Sequence, residues 1–181
     1  MKKIIFLATL ICYTSIAALA QHDHSSHQNQ STNSQTGTTT KATVIDGSSQ
    51  QQLSQLLSSY FNIKNALVTG DAASAASNAD LFLKTANTID FNVISEGNVH
   101  ILSKDAGKIS STKDLKKQRQ YFVDLSSNMA TAAKSLKLSN QPIYLQYCPM
   151  KKAAWLSSDK QIRNPYYGSS MLTCGEVTDT L

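Results

Sequence analysis

An all-α fold is predicted, an antiparallel bundle of three to four helices closed by a loop-rich C-terminal tail that carries cysteine and methionine. Three observations lead there. Apolar residues recur at helical spacing through two long segments separated by a lone glycine. A third periodic segment follows a polar cluster and stops at Asn140 and Pro142. Beyond Pro142 the periodicity ends, and tyrosine, tryptophan, cysteine and methionine crowd into a short stretch.

The chain of 181 residues is of one-domain size. Its first twenty residues read as a signal peptide. Lys2 and Lys3 form a positive start, Ile4 to Ile16 an apolar core, and Ala18-Leu19-Ala20 a cleavage signal before Gln21. A lipid anchor at Cys12 is disfavoured because Ile11, not a small residue, precedes it. Taking these 20 residues from 181 leaves 161, with 15 basic against 12 acidic side chains and a charge of +3. That charge is too mild, and too evenly spread, for nucleic-acid binding. No later apolar run approaches the roughly 20 residues of a membrane span, so no stable membrane insertion is expected after cleavage. The protein is therefore expected to be exported, with the signal cleaved after Ala20.

Residues 21–49 hold only Ala42, Val44 and Ile45 as apolar side chains, too little to offset the entropy of ordering, and are expected to form a disordered leader. Within it His22, His24 and His27 make a short histidine-rich tract, a compositional signal for weak metal binding. Residues 50–181 are then the helical, metal-binding domain.

Leu53, Leu56, Leu57, Tyr60, Phe61, Leu67 and Val68 predict a first helix from about Ser49 to Thr69. Gly70 stops it and Asp71 caps the next. The second helix, about Ala72 to Ile89, is expected to bury Ala72, Ala75, Ala76, Ala79, Phe82, Leu83 and Ala86, and its many alanines imply close approach to a neighbouring helix. Phe91 to Ser110 is ambiguous, with Gly97 and Gly107 as breakers and His100 as a partly buried structural residue. A capping signal at Ser111 to Asp114 opens a long helix carried by Leu115, Phe122, Leu125, Met129 and Ala133 to about Leu138.

The tail holds Cys148, Met150, Met171 and Cys174, both cysteines left after signal removal and two of the three remaining methionines. Thiolates and thioethers together select soft cations, Cu(I) first and Ag(I) by the same argument. In Cys148-Pro149-Met150 an extended backbone would place both side chains on one face. In Met171-x-x-Cys174 a helical turn would do the same. From the residues alone, a Cys148–Cys174 disulfide closing a loop worth roughly 3.5 kcal/mol stands equally. An enzyme is not expected: there is no C-x-x-C motif, phosphate loop or Ser/His/Asp arrangement, and His100 is the sole histidine available to activate a cysteine.

The run Tyr147-Cys148-Pro149-Met150, then Trp155-Leu156-Ser157, then Asn164-Pro165-Tyr166-Tyr167-Gly168 and Met171-Leu172-Thr173-Cys174-Gly175-Glu176-Val177 resembles a family of exported bacterial domains of unknown function. Its members stand alone as small secreted proteins or form the C-terminal module of periplasmic adaptor subunits in copper and silver efflux systems. The resemblance spans about Leu53 to Leu181 and is specific over Tyr144 to Val177. It implies an all-helical domain closed by this tail and a role in copper traffic, with an efflux component or metallochaperone as partner. Tyr147 stands where members often carry histidine. Asn164-Pro165 with Gly168 reads as turn chemistry, Trp155, Tyr166 and Tyr167 as packing, and Arg163 with Glu176 as a surface ion pair. The leading expectation is a Cu(I)-binding protein of metal homeostasis or efflux. The alternative is a docking or structural module with a Cys148–Cys174 disulfide.

Overall fold

A computed structural model describes residues 47–181. Residues 1–46, read above as a signal peptide and most of a leader with His22, His24 and His27, lie outside the described residues. Four helices come first, α1 (Gly47–Thr69), α2 (Ala72–Ala86), α3 (Glu96–Ser110) and α4 (Leu115–Ser135). Three strands follow, β1 (Tyr144–Cys148), β2 (Ala153–Ser157) and β3 (Glu176–Thr180), with a 3-10 turn at Gly168–Met171.

Each helix packs mainly on the next in sequence, and α4 packs also on β2. Gly70 ends α1 with φ +80°, the left-handed conformation glycine adopts without penalty. The Asp71 side chain then accepts from Ser74 N at 2.9 Å and caps α2. The long helix starts at Leu115 and not at Ser111, because the Asp114 carboxylate takes the N–H groups of Lys116 and Lys117 at 2.9 and 3.2 Å.

Most of the ambiguous segment, Glu96–Ser110, is helical, and a turn precedes it. Val99, Leu102, Asp105, Ala106 and Ile109 form its buried stripe, so an aspartate occupies a core position and interrupts the apolar pattern. Its charge is met by Lys108 Nζ at 2.9 Å and Asn128 Nδ2 at 2.8 Å. Gly97 and Gly107 face open space and do not break the helix. His100 is exposed, contrary to expectation.

The all-α expectation is corrected by the tail, which folds into a three-stranded antiparallel sheet of order β2-β1-β3. Tyr144 pairs with Ser157 and Cys148 with Ala153 across the β1–β2 hairpin, and Gln146 pairs with Val177 across β1–β3. Each strand is five residues, too short to display a period. In β2, four of five residues are buried, which erases alternation, and β3 is exposed throughout. The fold is therefore mixed, with helices dominant.

Sheet and helices share one core that includes Trp155, Leu156 and Tyr166. Tyr60 on α1 locks the layers together. Its ring stacks on Phe122 of α4 at 5.3 Å, its hydroxyl lies 2.8 Å from Ser126 Oγ, and it accepts from Leu156 N of β2 at 3.1 Å. Full burial holds its phenol far above the ordinary range, so it stays neutral.

Candidate soft-metal site

Cys148 is the last residue of β1, and Cys174 lies in the turn just before β3. Pairing of Tyr147 with Glu176 brings these two points together, although 26 residues separate the cysteines. The two Sγ atoms stand 3.4 Å apart and both thiols are free. Cys148 is buried completely, whereas Cys174 is partly exposed.

Residues 149–152 form the hairpin turn, closed by Lys152 N donating to Cys148 O at 2.8 Å, with Lys152 at φ 55°. The extended Cys-Pro-Met geometry read from spacing is therefore not adopted; Met150 sits on a turn. That turn aims backbone donors at sulfur. Lys151 N donates to Cys148 Sγ at 3.4 Å, and the Met150 N–H points at the Cys174 sulfur.

The helical turn expected between Met171 and Cys174 does form, with Cys174 N donating to Met171 O at 3.1 Å. Met150 is 65% exposed and Met171 40% exposed, so neither thioether is core filler. With Leu172 and Val177 they make four of the seven exposed large apolar side chains among the described residues, all within three positions of a cysteine. The other three, Leu81, Phe91 and Ile101, lie on α2, the following loop and α3.

Asn164 holds the Cys174 loop. It is fully buried, its Nδ2 donates to Cys174 O at 2.7 Å, and its Oδ1 accepts from Tyr166 N and Tyr167 N at 2.8 and 3.2 Å. Its backbone N also donates to Leu172 O at 2.8 Å. Reading Asn164 as turn chemistry captured the bonds to Tyr166 and Tyr167 but not the long-range bond to the cysteine, which no local pattern announces. Gly175, at φ +149°, completes the loop. A Cβ there would stand 2.9 Å from both Trp155 Cη2 and Tyr147 O, so only glycine lets the chain pass between ring and strand. Trp155 is buried, packs edge-on to Tyr166 at 5.8 Å, and serves as packing. The ion pairs among the described residues join Lys84 to Asp80 and Lys108 to Asp105 and Asp124, so Arg163 and Glu176 do not pair.

The Cys174 thiol is pushed above its ordinary range. Its hydrogen bond with Cys148 is the largest cause, then desolvation and repulsion from the second sulfur; the Met150 N–H opposes them. A soft cation would relieve that repulsion by replacing protons with one shared positive charge. The spacing suits this use. Two thiolates about 2.3 Å from a tetrahedral metal lie roughly 3.8 Å apart, so the observed 3.4 Å requires an opening of only about 0.4 Å. Among the described residues no three His, Cys, Asp or Glu side chains converge, which leaves the thiols and the neighbouring thioethers as the candidate donor set.

No helix among the described residues is long and apolar enough to cross a membrane. No curated protein and no solved structure matches the chain. Residues 56–141, from α1 to just short of β1, match the model of a family described as a protein of unknown function (DUF3347), so the helical portion is similar to a family of domains of unknown function.

Proposed function

We propose that this chain is an exported, non-catalytic protein that captures Cu(I), or Ag(I), at Cys148 and Cys174 with help from Met150 and Met171. It then passes the ion to an efflux component or metallochaperone in the periplasm. One observation carries the reading: two free thiols 3.4 Å apart, one of them open to solvent, beside two exposed methionines. Softness and charge come from the thiolates, while the thioethers offer neutral ligands from which an incoming ion is readily exchanged. Met150, Met171, Leu172 and Val177, exposed and each within three positions of a cysteine, offer apolar surface to a partner that donates or accepts the ion.

The test is a Cu(I) titration of the reduced protein against a chromophoric competitor. Tight one-to-one binding is expected in the parent, and loss of at least tenfold in Cys148→Ser and in Cys174→Ser, about 1.4 kcal/mol or more. Helical circular dichroism should persist in both, because the bundle is built upstream of the thiols. Affinity within about threefold of the parent in both variants would place the site elsewhere.

A further inference from the structure

We propose that Cys148 and Cys174 form a reversible dithiol–disulfide switch that shuts the soft-metal site when it is oxidised; this regulation rests on the metal reading above. The geometry lies between two end states. A disulfide needs the sulfurs about 2.0 Å apart, a closure of roughly 1.4 Å from 3.4 Å. A shared tetrahedral metal needs the small opening of about 0.4 Å already derived. Both are side-chain and loop adjustments, and each consumes the same two sulfurs, so the states exclude one another.

The two sulfurs are carried by different kinds of backbone. Cys148 is held in β1 opposite Ala153, is fully buried, and its carbonyl closes the hairpin turn. Cys174 sits in a turn between the 3-10 segment and β3, followed by Gly175 in a conformation most residues avoid. Pairing of Tyr147 with Glu176 already joins the two segments, so bond formation demands no change of strand register.

Exposure also sets the order of the chemistry. The oxidant is a disulfide, either a small molecule or an oxidised dithiol protein. The Cys174 thiolate attacks one of its sulfurs, forming a mixed disulfide and releasing the first thiolate. Buried Cys148, as thiolate, then attacks Cys174 Sγ and expels the second. Two protein thiols are oxidised, the external disulfide is reduced to two thiols, and the two protons lost by the protein end on them. Reversal by excess thiol reopens the site.

The experiment uses the chain from Gln21, whose cysteines are Cys148 and Cys174 alone. It is equilibrated without metal across ratios of reduced to oxidised glutathione, quenched with acid, alkylated and weighed intact. Both thiols should disappear together with loss of two hydrogens, and return on reduction. The oxidised form should bind Cu(I) at least tenfold more weakly than the reduced form. Cys148→Ser should accumulate a glutathione adduct on Cys174, whereas Cys174→Ser should resist modification at buried Cys148. Thiols that stay alkylatable at the most oxidising ratio overturn the proposal, as does an oxidised form with undiminished Cu(I) affinity. Equal adduct formation in the two variants overturns the order of attack. The mass readout is taken without metal, so it judges the switch alone; a reduced chain that fails to bind Cu(I) instead overturns the metal reading.

Discussion

Replacing Asn164 with alanine tests whether the thiol pair is held by a single buried amide. The substitution removes the donor to Cys174 O at 2.7 Å and the acceptor shared by Tyr166 N and Tyr167 N at 2.8 and 3.2 Å. The amide orientation follows from its partners, since the reverse would set oxygen against the Cys174 carbonyl and NH2 against two N–H donors. Each bond contributes about 0.5 to 1.5 kcal/mol net, and alanine leaves one carbonyl and two N–H groups without partners around a fully buried side-chain position. The expected loss is about 3 kcal/mol, a large part of the roughly 5 to 15 kcal/mol that holds a domain folded. In urea this should lower the midpoint by about 1 to 2 M at unchanged slope. Cu(I) affinity should fall with it by at least about tenfold, because Cys174 loses the anchor that fixes its sulfur beside Cys148. Asn164→Asp keeps the acceptor for Tyr166 and Tyr167 but not the donor to Cys174, so it should damage metal binding as much as alanine does. A loss of stability below about 1 kcal/mol for Asn164→Ala would show that the loop is held by its other bonds and that the clamp argument fails.

Three further outcomes are expected. Met150→Leu and Met171→Leu should change stability by well under about 1.5 kcal/mol, since both side chains are exposed and the swap conserves volume, while Cu(I) affinity falls; retained affinity in competition titrations would remove the thioethers from the ligand set. Lys64 is buried on α1, and burial together with the positive charge of Arg163 lowers its ammonium from 10.5 to about 8, partly opposed by Asp159. The unfolded chain therefore binds more protons than the folded one between about pH 8 and 10.5, and the Lys64 contribution to stability rises across that window. Lys64→Met should be more stable than the parent at pH 7, by at most about 3 kcal/mol, with the advantage fading toward pH 10.5; a difference independent of pH in paired denaturation curves would refute the assignment. Deleting residues 21–46, which stops before α1 begins at Gly47, should leave the fold and the tight sulfur site intact. It should abolish weaker Cu(II) or Zn(II) binding by His22, His24 and His27, binding that the full chain loses as imidazole protonates near pH ~6.5; identical calorimetric titrations of the two forms would make the leader a spacer.

Three of the four helices were legible from the chain because helical packing is written locally. Leu53, Leu56, Leu57 and Tyr60 lie one turn apart and bury together whatever surrounds them. Gly70 and Asp71 marked the first boundary for equally local reasons of backbone freedom and capping. The third helix was obscured because Asp105 fills a core position. It is tolerated there by Lys108 and by Asn128, 23 residues away, and that compensation is invisible in any window of sequence.

The sequence by itself determined the chemistry available: two cysteines and two methionines in one tail, a histidine tract far from them, and a helical scaffold before them. Side-chain softness is a property of composition and does not depend on folding. Only the tertiary structure decided that the tail is a sheet, because a five-residue strand has no periodicity to read and acquires its partners from residues far along the chain. The same pairing of Tyr147 with Glu176, and the reach of Asn164 across ten residues, set Cys148 and Cys174 3.4 Å apart. Distance between sulfurs is a consequence of long-range register and burial, and it is that distance which makes the two residues a pair.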